Sequence, residues 1–438
     1  MNRIVKNASW IIGCKLLKAM LTLITTMLTA RYLGPSNFGL INYAASLVTF
    51  MTPLMKLGLD STLVYEIVKE QKKEGEIIGS SIIMCLTSAI LSLAGMILFV
   101  LFANAGEIDT LIVCVLYGLS LIFSALEMIQ YWFQAKLMSK YASISMLISY
   151  IIMTITQIYF LITNKGVYWF ALSHSLDFLL ISILLFIIYK KKVTEKLSFS
   201  WNRCKELLNK SRYYIISSLM VTIFAQTDRV MLKLMIGNDS VGYYSAAVTC
   251  ANMFAFVFAA IIDSIRPIVF EAQKKGEEPF NNSMIKMYCI LIYFSLFVSL
   301  IMSLFSFFII NIMYGALYSE SILALRIIVW YSTFSYIGSA RNIWIMAKGL
   351  HKCLWKINLS GAVANIVINF LLIPKYGIYG AAIASLLTQI FTNVVIGFIY
   401  KPIYKNNELM IAALNPKVLI GILYKIDFRD IKAYNKKK

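Results

Sequence analysis

The chain predicts an all-α polytopic membrane protein with about twelve transmembrane helices in two six-helix lobes related as parallel repeats. Three observations carry that expectation. Apolar segments fill the 438 residues almost end to end: 60% of residues are hydrophobic and 14% charged, where a soluble domain has roughly a quarter charged. Lys and Arg gather in every second gap between those segments. A glycine-bounded turn at the start of the first half recurs at the start of the second.

The spans follow from the length a bilayer demands, about 20 apolar residues for a hydrocarbon core of roughly 30 Å. In order they cover 8–30, 39–62, 79–102, 110–132, 143–163, 167–189, 213–236, 241–263, 284–312, 321–346, 357–373 and 376–400. No room is left for a soluble domain. Span 1 follows a basic start, as a signal peptide would. Lys15 and Lys18 interrupt its apolar run and no small-residue cleavage site follows, so a retained helix is expected. The gaps after odd-numbered spans (32–38, 103–109, 164–166, 237–240, 313–320 and 374–376) are too short for an external catalytic domain.

The longest connection, 190–212, follows span 6 and sets the expected domains: an N-terminal lobe at 1–193, a linker at 194–212, a C-terminal lobe at 213–400 and a basic tail at 401–438. Within the linker Leu197, Trp201, Cys204 and Leu208 recur at helical spacing among Lys196, Arg203, Lys205, Lys210 and Arg212. That pattern predicts an amphipathic helix lying on the inner leaflet. The tail holds one apolar stretch, 418–424, too short to span and expected at the surface.

Charge sets orientation. Of 41 Lys and Arg residues, 31 fall at the N-terminus, in the gaps after even-numbered spans and in the tail; Arg31, Lys165 and Lys375 alone fall in the other gaps. The bias predicts that both termini are cytoplasmic. It also accounts for the formal charge of +20 through topology and anionic lipid, not nucleic acid. The seven cysteines form no CxxC pair and there are only two histidines, so no metal, disulfide or cofactor is expected.

The repeat is short but well placed. Leu33-Gly34-Pro35-Ser36-Asn37-Phe38-Gly39 precedes span 2, and Ile236-Gly237-Asn238-Asp239-Ser240-Val241-Gly242 precedes span 8; the paired glycines are 203 residues apart both times. A six-span shift preserves orientation, which makes the halves parallel repeats about an axis along the membrane normal. Such two-lobed bundles work by alternating access around a midplane site.

Ionisable groups inside the membrane cost several kcal/mol unless they face water or a partner, at about 2.5–3.5 kcal/mol each on insertion scales. In span 1, Lys15, Lys18, Thr22, Thr25 and Thr29 recur at steps of three and four and form one polar stripe. They line a cavity, or else the threonines bond between helices and Lys15 snorkels to the inner surface. Span 7 holds Asp228, with Arg229 and Lys233 on a shared face. Arg341 stands isolated in span 10. Asn365 and Asn369 share a face of span 11, as sugar ligands or as helix-packing amides. Lys56 and Asp60 read as a structural i,i+4 pair. Glu127, Asp177 and Asp228 are candidates for a coupling proton or sodium ion. Seven intramembrane cations against four acids suit an anionic cargo.

The stretch Ala30-Arg31-Tyr32-Leu33-Gly34-Pro35-Ser36-Asn37-Phe38-Gly39 resembles the first-hairpin signature of bacterial polysaccharide-repeat-unit flippases. These are the O-antigen and capsule branch of the multidrug/oligosaccharidyl-lipid/polysaccharide exporter superfamily. Thr227-Asp228-Arg229 with Val241-Gly242-Tyr243-Tyr244-Ser245-Ala246-Ala247, and the closing Tyr376-Gly377-Ile378-Tyr379-Gly380-Ala381-Ala382, are similar to its later junctions. The resemblance implies a V-shaped, two-lobed bundle in the bacterial cytoplasmic (inner) membrane. Such a bundle moves an undecaprenyl-pyrophosphate-linked oligosaccharide to the outer leaflet through a cationic lumen, alongside other polysaccharide-assembly membrane proteins. Lys15, Lys18, Arg229, Lys233 and Arg341 would supply the lumenal charge. Twelve spans, not the fourteen usual in peptidoglycan-precursor flippases, fit the O-antigen or capsule branch. No GxxxxGK[ST] loop is present, so no ATP site is expected. Two other readings stand beside it. A drug/cation antiporter of the same superfamily should show an acid cluster in one lobe's cavity. A membrane glycosyltransferase or polymerase needs catalytic groups in a substantial outer loop.

Overall fold

A computed structural model describes the backbone of residues 3–193 and 195–425; the side chains of 3–12, 15, 16 and 422–425 lie outside the described set. The described residues are almost entirely helical and contain no strand. Among the described residues nine helices are long and apolar enough to cross a bilayer, or ten when the bent pair Asn238–Ala251 and Ala255–Lys274 is counted as one span. Two of the nine are double. Arg3–Lys56 merges spans 1 and 2 across Gly34 (φ 72°, ψ 173°), and Lys352–Ile390 merges spans 11 and 12 across Gly377 (φ 57°, ψ −131°). Dividing both at their glycines gives the twelve-span layout. Outward faces carry Leu91, Phe102, Ile155, Ile162, Phe370 and Ile399, all exposed, as hydrocarbon requires where backbone polar groups are satisfied within each helix.

The chain separates into two compact units. The first is Met1–Ser245 with Met313–Leu317; the second is Ala246–Ile312 with Tyr318–Lys438. The division therefore falls inside span 8 and not at the 194–212 connection. Within the first unit the reason is visible at the repeat glycines. A Cβ on Gly39 would strike the Asn238 carbonyl, and a Cβ on Gly242 would strike the Pro35 carbonyl. The two turns interlock through their missing side chains. Tyr244 donates to the Asp228 carboxylate at 2.5 Å, and Arg31 reaches the Met313 carbonyl at 3.0 Å. These contacts hold the start of span 8 and the 313–317 segment in this unit.

The linker is not a separate amphipathic helix on the leaflet. Trp201–Met235 is one continuous helix of 35 residues, capped by Ser200, so the second half of the linker is the N-terminal extension of span 7. Part of its polar face is engaged by protein, while Lys205 and Arg212 stay exposed. Arg203, 4% exposed, bonds Glu70 at 2.6 and 3.1 Å and Glu206 at 2.8 Å; Lys210 bonds Glu66 and Glu206, each at 2.7 Å. The hydrogen bond from Arg203 holds the Glu70 carboxyl below its ordinary range. Glu66, Glu70 and Glu206 converge closely enough to hold a cation, but Arg203 and Lys210 already neutralise them. Upstream, residues 195–198 run against Gly75 and Gly79, where any Cβ would meet the Lys196 and Ser198 carbonyls. The acids of the 66–76 stretch thus draw the basic linker inward.

In the second unit the tail also departs from expectation. Tyr404–Ala412 is a helix whose Leu409 and Met410 enter the core with Tyr288 and Trp344. Tyr288 donates to Asn406 at 2.7 Å, and Asn407 donates to the Val394 carbonyl at 2.7 Å. Pro416–Lys425 forms a further short helix, and the tail beyond Lys425 lies outside the described residues. All seven cysteines are buried and unbridged.

Candidate functional site

The polar stripe of span 1 lines a cavity of about 480 Å³ inside the first unit. The Arg3–Lys56 helix contributes Lys18, Thr22, Thr25 and Thr29, and past the Gly34 turn Asn42. Ser139–Ile162 contributes Tyr150, Thr154 and Gln157; Val167–Lys192 contributes Ser173, His174 and Asp177. Glu127 enters from the 3-10 turn Ala125–Met128 that interrupts span 4. Such a tightened turn inside a helix aims a side chain that a regular helix would place elsewhere.

The wall is held in place by local bonds. Thr22 donates to the Lys18 carbonyl at 2.8 Å and Thr25 to the Leu21 carbonyl at 2.9 Å, while Thr25 and the Tyr150 hydroxyl lie 3.2 Å apart. Hydroxyls that donate back along the helix keep acceptor lone pairs for the cavity. Lys18 sets its ammonium 5.1 Å from the Tyr150 ring centroid, a cation–π arrangement. Asp177 accepts from Ser149 at 2.6 Å, and Gln157 donates to Ser173 at 3.1 Å. His174 stacks on Tyr117 with centroids 3.8 Å apart. One ammonium, two carboxylates and an imidazole therefore face one chamber. That arrangement can bind an anionic group at Lys18, hydrogen-bond hydroxyls along the Thr and Gln walls, and exchange a cation at the acids.

This chamber is not the cation-rich lumen that the charge count implied. Of the expected cations, Lys18 lines it, and the side chain of Lys15 lies outside the described residues. Arg229 bonds the Ser245 hydroxyl and the Gln226 amide oxygen, each at 3.0 Å. Lys233 is buried in an ion pair with Glu107 at 2.5 Å, in the last turn of its helix. Arg341, 4% exposed, is committed to the Thr392 carbonyl, beside the π-helical turn Phe391–Val395. Asn365 and Asn369 are buried in the second unit. Asp228 is the acceptor for Tyr244 and does not line the chamber. Lys56 and Asp60 do not share a helical face, because the chain turns at Leu57 and Gly58 between them.

The structure adds residues that were not singled out: Tyr150, Gln157, Ser173 and His174. A signal existed for the first two. Tyr150, Thr154 and Gln157 fall on one face of span 5, the same periodic cue that marked span 1. His174 carried none, since a lone His on an apolar helix has no pattern.

Residues 4–273 match the family described as "Polysaccharide biosynthesis protein". Three curated relatives align along nearly the whole chain. An uncharacterised membrane protein of Methanocaldococcus jannaschii is 25% identical, covering 98% of this chain and 90% of its own length. The capsular polysaccharide biosynthesis protein CapF of Staphylococcus aureus is 23% identical over 91% of this chain and all of its own. A putative O-antigen transporter of Escherichia coli K12 is 22% identical, over 90% and 94%. Among solved structures, the lipid II flippase MurJ in an inward closed conformation superposes with a TM-score of 0.75 at 18% identity, covering 95% of this chain and 93% of its own. An inward-facing MATE-family multidrug transporter of the MOP superfamily superposes with a TM-score of 0.73 at 13% identity, covering 91% and 96%. At those identities the likeness establishes a shared fold.

Proposed function

The chain belongs to the polysaccharide biosynthesis protein family, and from that membership we propose that this multi-pass membrane protein is a flippase for a lipid-linked oligosaccharide. The cargo is an undecaprenyl-pyrophosphate-linked repeat unit of O-antigen or capsule type, moved from the cytoplasmic to the outer leaflet of the bacterial cytoplasmic membrane. The family match carries the reading; the first-unit chamber supports it with an ammonium beside hydroxyl-rich walls. The hydrophilic head needs a polar route across roughly 30 Å of hydrocarbon, while the polyprenyl tail stays in lipid.

In this reading Lys18 meets the diphosphate, a charge-assisted contact, and Thr22, Asn42 and Gln157 meet sugar hydroxyls. Asp177 and Glu127 bind the coupling proton or sodium ion. The two events are linked by charge. A diphosphate beside Lys18 disfavours ionised carboxylates in the same chamber, so cargo binding favours cation binding, and the reverse holds by reciprocity. Arg229, Lys233 and Arg341 hold the framework through the partners described above.

A second reading has one observation in its favour. The acid pair Glu127 and Asp177 in one unit's cavity is the feature expected of a drug/cation antiporter. Reconstitution separates the two. In liposomes the flippase moves a fluorescent polyprenyl-diphosphate glycan between leaflets in response to an imposed pH or sodium gradient and leaves a cationic dye where it is. Dye export without glycan movement establishes the antiporter instead.

A further inference from the structure

A second cleft, about 580 Å³, opens where three inner ends of the first unit meet. They are the start of the Glu74–Ala103 helix, the turn after Ile129–Ala135 and the end of Val167–Lys192. All three lie on the side that the positive charges mark as cytoplasmic, and the volume falls in the range of small-molecule sites. Lys72, Lys136 and Lys192 line it, with Glu74, Glu195 and Trp132.

One of the two acids of the cleft already has a cationic partner. Glu74 accepts the Trp132 indole N–H at 2.7 Å and the Lys136 ammonium. Glu195 accepts the Gly75 amide at 3.2 Å. Lys72 and Lys192 make no ion pair among the described residues and both are exposed; the Lys192 ammonium lies 5.5 Å from the Tyr141 ring centroid. With Lys136 paired to Glu74, Lys72 and Lys192 outnumber the single remaining carboxylate, Glu195, and the cationic excess is one that a phosphate meets. The remaining lining is Gln71, the Trp132 ring, Met138 and Val193. Trp132 is itself buried against Phe133 and Tyr189; the half-buried Met138 and Val193 give the basic recess an apolar edge that suits a ligand with a hydrocarbon neighbour.

We infer that this cleft binds the phosphate headgroup of an anionic phospholipid of the inner leaflet. A basic pocket between spans on the cytoplasmic side is the form such sites take. The lipid anchors the inner ends of spans 3, 4 and 6 to the leaflet. The inference is independent of what the first-unit chamber transports.

The test uses the full chain purified in a neutral detergent and titrated with phosphatidylglycerol, phosphatidylcholine or glycerol phosphate, with binding followed by native mass spectrometry. Phosphatidylglycerol is expected to bind well above the other two. K72A/K192A should weaken it by about tenfold or more, while K401A/K417A, removing two charges in the second unit, leaves it unchanged. Both lysine pairs are exposed, and matching gel-filtration and circular-dichroism profiles verify folding. Equal phosphatidylglycerol affinity in K72A/K192A and wild type overturns the inference, as does phosphatidylcholine binding of the same strength. Glycerol phosphate binding as tightly as the lipid overturns the lipid source and makes the cleft a site for soluble phosphate.

Discussion

Lys18→Ala is expected to reduce glycan translocation by about tenfold to a hundredfold, while the apparent melting temperature stays within about 2 °C of wild type. Lys18 is the only ammonium among the described residues lining the first-unit chamber. Its known contact is a cation–π approach to Tyr150, worth about 0.5–2 kcal/mol to the fold. A charge-assisted bond to a diphosphate is worth more, about 1.5–3 kcal/mol, so function should fall further than stability. Lys18→Arg should retain part of the activity. Asp177→Asn separates cargo from coupling. The amide keeps an acceptor for the Ser149 hydroxyl but removes the titratable charge. Glycan binding should survive while the response to an imposed proton or sodium gradient disappears. Equal gradient-driven flux in Asp177→Asn and wild type would move the coupling role to Glu127.

The largest stability effect is expected at the interlocked turns. Gly39→Val and Gly242→Val each place a side chain onto a backbone carbonyl, at Asn238 and Pro35 respectively. Backbone cannot swing aside as a side chain does. Each change should cost about 3 kcal/mol and lower the apparent melting temperature by about 5 °C or more. The two sites share one contact, so the double variant should lose less than the sum of the singles. Gly95→Ala is the control: nothing lies within 4 Å of a Cβ there, and alanine favours a helix. Its expected effect is neutral or slightly stabilising. Fluorescence-detected size exclusion after heating reads all four variants.

The spans were legible because hydrocarbon imposes a length and a composition that few local exceptions disturb. The two long helices that merge neighbouring spans break at Gly34 and Gly377, glycines visible in the sequence motifs. Partners across the fold were not legible. The basic linker looked amphipathic because Arg203 and Lys210 could be seen, whereas their dependence on Glu66 and Glu70, more than 130 residues away, could not. The same limit explains the site. Thr22, Thr25 and Lys18 share a face by period alone, so their cavity was readable. Arg229, Lys233 and Arg341 were counted as lumenal by charge; charge does not reveal that Arg229 bonds Ser245, that Lys233 pairs with Glu107 or that Arg341 donates to the Thr392 carbonyl. Counting intramembrane cations overstates a lumen whenever such pairs are structural.

The most direct measurement is the leaflet distribution of the lipid-linked oligosaccharide in the host after deletion of the gene. Intact spheroplasts and inverted vesicles are probed with a glycan-binding lectin. Glycan confined to the cytoplasmic face, returned to the outer face by the wild-type gene and not by Lys18→Ala, is the result a flippase with this chamber predicts. Glycan that still reaches the outer face in the deletion strain, with every related flippase gene also removed, would contradict it.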